Sequence, residues 1–76
     1  MARKITIQGV EFEVEQRGVY VHWGVDGKPD VMVSQQDKND FDCHIHQPGT
    51  GEVLDQKEYC TTKDAAVAWA KAKGHI

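Results

Sequence analysis

Two short alternating runs, Lys4-Ile5-Thr6-Ile7 and Val10-Glu11-Phe12-Glu13-Val14-Glu15, flank Gln8-Gly9 near the start of the chain. Alternation of apolar and polar residues marks a half-buried strand. A two-residue loop ending in glycine suits a type I′ hairpin turn. Such a turn pairs Ile7 with Val10, Ile5 with Phe12 and Lys4 with Glu13. Arg17-Gly18 offers the same loop for a second hairpin, pairing Val14 with Val21, Phe12 with Trp23 and Val10 with Val25. The two registers agree on the middle strand, and a one-residue slip in either would flip its partner's faces. The pattern predicts a three-stranded meander with Ile5, Ile7, Val10, Phe12, Val14, Val21, Trp23 and Val25 toward the core. Lys4, Glu11, Glu13, Glu15, Tyr20 and His22 fall on the opposite face.

Asp26-Gly27 is a further turn signal. Pro29 lacks a ladder donor, so Val31-Met32-Val33 reads as an edge or irregular strand, and the polar stretch Gln35 to Asp40 as a loop. Phe41-Asp42-Cys43-His44-Ile45-His46 alternates again, with Phe41, Cys43 and Ile45 inward and Asp42, His44 and His46 outward. Pro48-Gly49-Thr50-Gly51 turns the chain into a run from Glu52 to Tyr59. A four-residue loop sets Ile45 opposite Leu54, His44 opposite Asp55 and Asp42 opposite Lys57. The period then changes. Thr61 is a candidate helix N-cap with Asp64 three residues on, and Gly74 a candidate stop with Lys71 and Lys73 complementing the dipole. At helical spacing Ala65, Trp69, Ala72 and Ile76 share a side, with Ala66 at its margin. Trp69 is the expected anchor, packing near Trp23 and Phe12.

Composition reinforces this division. Eight of nine valines lie at or before Val53, and five of six alanines lie between Ala65 and Ala72. β-branched residues favour strands and alanine favours helices. The expected fold class is α+β: an antiparallel sheet of five or six strands, beginning with the meander, and one C-terminal helix on its apolar face. Seventy-six residues fit a single domain spanning 1–76 and exclude a TIM barrel, which takes about 250 residues. No apolar run approaches the roughly 20 residues of a membrane span. Met1-Ala2-Arg3-Lys4 has no long apolar stretch behind it, so a cytoplasmic location is expected.

Candidate chemistry is sparse. His44 and His46, at i and i+2 on a strand, point the same way, and His22 could join them in a three-nitrogen metal site. The competing reading makes them ordinary solvent-face residues. Cys43 and Cys60, the only cysteines, are far from CxxC spacing. Cys43 reads as a small buried hydrophobe, and a cytosolic setting favours free thiols. It faces away from His44, so the adjacent pair cannot act as nucleophile and base. No phosphate-loop, nucleophile-elbow, zinc-protease or dinucleotide motif is present. No enzyme activity and no cofactor are expected, and so short a chain is expected to leave little room for a pocket of about 300 Å³ or more.

The segment Phe41 to Ala72 resembles the strand–turn–strand–helix end of AP2-type and integrase-arm DNA-binding domains. The residues that carry the likeness are Tyr59 ending the last strand, Thr61 or Thr62 as cap, and Ala65-Ala66-Val67-Ala68-Trp69-Ala70 in the helix. It covers under half the chain and implies a nucleic-acid-binding sheet bearing Arg, Lys and aromatic residues. This chain instead puts Glu, Asp and His there, and carboxylates oppose phosphate binding. Lys63, Lys71 and Lys73 on the helix are a thin basic footprint.

The net charge is -3, and the expected outward face gathers Glu11, Glu13, Glu15, Tyr20, His22, Asp42, His44 and His46. That face is the candidate partner-binding surface, suited to a protein with a basic patch. A sheet edge near Val31-Met32-Val33 could add a strand from a second copy. The expected function is a non-enzymatic protein-binding module acting by surface occlusion, of the kind a phage or mobile element encodes as an inhibitor, anti-CRISPR proteins among them. The alternatives are a sheet-type nucleic-acid-binding domain and a small metal-binding protein using His44 and His46.

Overall fold

The computed structural model describes residues 3–76. Six strands run in chain order: β1 (Arg3–Ile7), β2 (Val10–Gln16), β3 (Val19–His22), β4 (Asp30–Asp37), β5 (Asp40–His46) and β6 (Val53–Cys60). They form one antiparallel sheet in the order β1-β2-β3-β4-β5-β6, and α1 (Lys63–Ala72) lies against one face. The fold is α+β, as expected from the change of period near residue 60.

The first hairpin has the expected register, with Ile7 opposite Val10, Ile5 opposite Phe12 and Lys4 opposite Glu13. Gln8 (φ 54°) and Gly9 (φ 77°) both carry the positive φ of a type I′ turn. The second hairpin departs from expectation. Only Gly18 is left-handed there (φ 80°), whereas Arg17 is not. The ladder slips between Val14 and Gln16, so Val21 faces Glu13 and Tyr20 faces Val14. A slip of one residue exchanges the faces of a strand. Val21 and Trp23 therefore turn to the side away from the helix, while Tyr20 and His22 turn toward it. Val25 is exposed in the loop before β4.

The expected edge at Val31-Met32-Val33 is corrected. β4 pairs with β3 over Val31 to Ser34 and with β5 from Asp30 to Asp37, and the sheet's edges are β1 and β6. Pro29 precedes the first residue of β4, where a missing donor costs no ladder bond. Gln35, Gln36 and Asp37 extend the strand rather than forming a loop. The last hairpin is also shifted. His46 faces Val53 as the four-residue loop requires, but a slip next to it puts Ile45 opposite Asp55, His44 opposite Gln56 and Cys43 opposite Lys57. A second slip ends with Tyr59 at φ 63° and Phe41 opposite Cys60.

The helix starts one residue later than expected. Thr62 is the N-cap, its side chain accepting from the Ala65 amide at 3.0 Å. The C-terminus closes as a Schellman motif. The Gly74 amide donates to the Lys71 carbonyl and the His75 amide to the Ala70 carbonyl, both at 3.0 Å, with Gly74 at φ 82°. The buried stripe is Ala66, Val67 and Ala70; Ala65 is exposed and Trp69 half-buried at the margin. These residues cap a core of Ile7, Phe12, Val31, Val33, Phe41, Cys43, Ile45 and Cys60.

Candidate binding face

One face of the sheet has no helix on it, and the register specifies its rows. Residues opposite one another in a ladder share a face. Lys4, Glu13, Val21, Met32, His44 and Gln56 therefore form a row crossing all six strands. A neighbouring row carries Asp30, His46 and Val53, and continuing the β3–β4 register one step places Trp23 beside Asp30. Asp42 and Ser34 begin the next.

Of the residues expected on this face, Glu11, Glu13, Asp42, His44 and His46 are present. Tyr20 and His22 are not. The slip at Val14/Gln16 puts Tyr20 opposite Val33 and His22 opposite Val31, on the helix side. The His22 ring stands 5.6 Å from that of Phe12, and its Nδ1 lies 3.1 Å from the Glu11 carbonyl oxygen. Glu15 lies at the slip and has no ladder partner. In place of Tyr20 and His22 the face holds Val21 and Trp23, with Met32 beside them. The signal was Arg17. A type I′ turn needs positive φ at both central residues, which arginine adopts reluctantly.

The centre of this face is apolar and its margins are polar. Val21, Trp23, Asp30, Met32, His46 and Gly51 line a depression of about 240 Å³. Val21 is 6% exposed, but Trp23 remains 51% and Val53 49% exposed. The Trp23 indole donates to Glu13 Oε2 at 3.0 Å, which holds the ring over the sheet. Lys4 pairs with Glu11 at 3.4 Å. Asp30 Oδ1 accepts from the Gly24 amide at 2.7 Å, and Asp42 Oδ1 from the Tyr59 amide at 3.4 Å. Each carboxylate keeps further acceptor capacity toward solvent.

The histidines are held differently from one another. His46 Nδ1 lies 3.1 Å from the Gly51 carbonyl oxygen, so it donates there and leaves Nε2 as the acceptor nitrogen. Buried His46 Nε2 and His44 Nδ1 have no hydrogen-bond partner in the chain, and the two rings are 6.1 Å apart. His22 lies on the other face, so the three-histidine arrangement does not form. No group of three or more His, Cys, Asp or Glu side chains able to hold a metal occurs among the described residues.

Asp55 does not pair with His44. The slip in β6 turns it toward the helix, where His75 Nε2 lies 3.0 Å from its Oδ2. That hydrogen bond, chiefly, holds the Asp55 carboxyl below its usual range. Cys43 and Cys60 are free and buried. Burial, with the neighbouring Cys60 and Asp55, pushes the Cys43 thiol up to about 12. Burial likewise raises that of Cys60. Lys71 donates to the Gln8 carbonyl oxygen at 3.0 Å, so part of the helix's basic footprint is used internally. No helix among the described residues is long and apolar enough to cross a membrane.

No protein-family model, curated protein sequence or solved structure matches the chain.

Proposed function

We propose that the chain is a non-enzymatic protein-binding module whose open sheet face covers a surface of a partner protein. One observation carries this reading: a half-exposed tryptophan, tethered by Glu13, lies just past the end of β3 on an uncovered sheet face and shares a depression with Val21 and Met32. Tryptophan and methionine are enriched where proteins meet, and a large buried aromatic at the centre of a contact dominates its energy. Glu11, Glu13, Asp30 and Asp42 outnumber Lys4 on this face, so the complementary surface is basic around an apolar centre. Occlusion of such a surface is how a small phage- or mobile-element-encoded inhibitor of the anti-CRISPR kind would act.

The test is capture from an extract of the native host by the wild type, Trp23→Ala, Glu13→Lys and Lys73→Ala, each checked for unchanged melting temperature. A protein retained by the wild type and Lys73→Ala but lost with Trp23→Ala and Glu13→Lys supports the reading. Capture that is indifferent to both face variants rejects it.

A further inference from the structure

A larger concavity than the depression on the open face lies on the other side of the sheet. It is a groove of about 640 Å³ lined by Arg3, Ile5, Val14, Gln16, Arg17, Gly18, Tyr20 and Lys63, well above the size expected from so short a chain. Ligand pockets run from about 300 to 1,000 Å³. The ladder explains its walls. Arg3 stands opposite Val14 and Val14 opposite Tyr20, so these three side chains share the helix-side face. Arg17 reaches in from the β2–β3 turn, and Lys63 is the first residue of α1. The slip that removed Tyr20 from the open face is what brings it here.

The chemistry of the lining is one-sided. It holds three cations and no carboxylate in a chain whose net charge is -3. Asp64, the acidic residue of the helix's first turn, is not part of it. The ion pairs among the described residues use Lys4, His75, Glu11 and Asp55, so Arg3, Arg17 and Lys63 have no carboxylate partner there. Ile5, Val14 and the half-buried Tyr20 give an apolar floor. Two guanidinium forks and an ammonium suit phosphate. A phosphate monoester, carrying about −1.5 to −2 at neutral pH, balances three cations better than one carboxylate does. The aromatic ring and aliphatic floor suit a planar organic group beside the phosphate.

We propose that this groove binds a phosphate monoester carried on a planar organic group, its phosphate held by Arg3, Arg17 and Lys63 and its ring against Tyr20, Ile5 and Val14. The site is separate from the open face and does not depend on the partner-binding reading. The ligand can be a free mononucleotide or the 5′-phosphorylated end of a nucleic-acid strand.

The experiment is a titration of the isotope-labelled full chain with adenosine 5′-monophosphate, inorganic phosphate and adenosine, followed by amide shifts. The expected result is saturable movement of Gly18, Tyr20 and Lys63, with the monophosphate binding at least tenfold tighter than phosphate or adenosine. Arg17→Gln and Arg3→Gln, both at exposed positions, should each weaken binding at least tenfold without changing the melting temperature. A short oligonucleotide with and without its 5′-phosphate distinguishes the sources. Tighter binding of the phosphorylated strand than of the mononucleotide assigns the strand end, and the reverse assigns the free nucleotide. The proposal is overturned if the monophosphate binds no better than adenosine, if the moving amides lie elsewhere, or if both arginine variants bind normally.

Discussion

Trp23 donates its indole hydrogen to Glu13 across 3.0 Å, on the face of the sheet that the helix does not cover. The two residues meet because the ladder slips between Val14 and Gln16. Had Arg17 taken the second positive φ of a type I′ turn, Trp23 would lie in the core opposite Phe12. The two tryptophans can be read separately. With Trp69→Phe, the remaining Trp23 should emit toward the red and be quenched strongly by acrylamide. With Trp23→Phe, the half-buried Trp69 should be quenched less. The opposite order would place Trp23 in the core and remove the slip.

Phe12 is fully buried, whereas Trp69 lies at the margin of the helix's buried stripe. Phe12→Ala should cost about 3–5 kcal/mol, a large share of the stability of a small domain. Trp69→Ala should cost less, because part of its ring is already in water. Urea titration of the two variants checks this, and a larger loss for Trp69→Ala would return the tryptophan to the anchoring role its helical spacing suggests.

The Schellman turn at Gly74 delivers His75 to Asp55. Because this contact lowers the folded-state carboxyl below 3.8, its stabilisation is present above that value. It is lost as pH falls through the lower folded-state value. His75→Ala should therefore flatten the dependence of melting temperature on pH below about 4, a window set by the unperturbed aspartate. An unchanged acid limb would show that the pair contributes nothing.

Cys43 is fully buried with its thiol pushed up to about 12. The thiolate is the reactive form, so Cys43 should resist an aromatic disulfide reagent at pH 8 until the chain unfolds. Reaction of native Cys43 at the rate of a free thiol would contradict its placement in the core.

The strands and the helix were legible because each keeps its own period. Val10 to Glu15 and Phe41 to His46 alternate without a break, and the alanines cluster after Cys60. The registers were less legible. Gln8-Gly9 gave the right pairing because its two residues take the φ values the turn demands. Arg17-Gly18 has the same length but bends differently, and the run from Tyr20 to Trp23 carries large rings on both faces, so alternation alone could not decide between them. The slips in β6, beside Leu54 and at Tyr59, follow the same pattern, since no sequence rule announces a bulge between two exposed residues. The candidate face was thus legible on β2 and β5, where Glu13 and His44 stand as expected, and illegible on β3 between them. The cationic groove was hidden altogether, because Arg3, Arg17 and Lys63 are remote in sequence and meet only through the fold.

The Trp23–Met32 face is the proposed working surface. Site-specific photo-cross-linking tests it most directly, with a photoreactive side chain at Met32 or, on the exposed side of the helix, at Ala68. A discrete adduct with a host protein is expected from position 32 and none from position 68. An adduct from position 68 with none from position 32 would contradict this assignment.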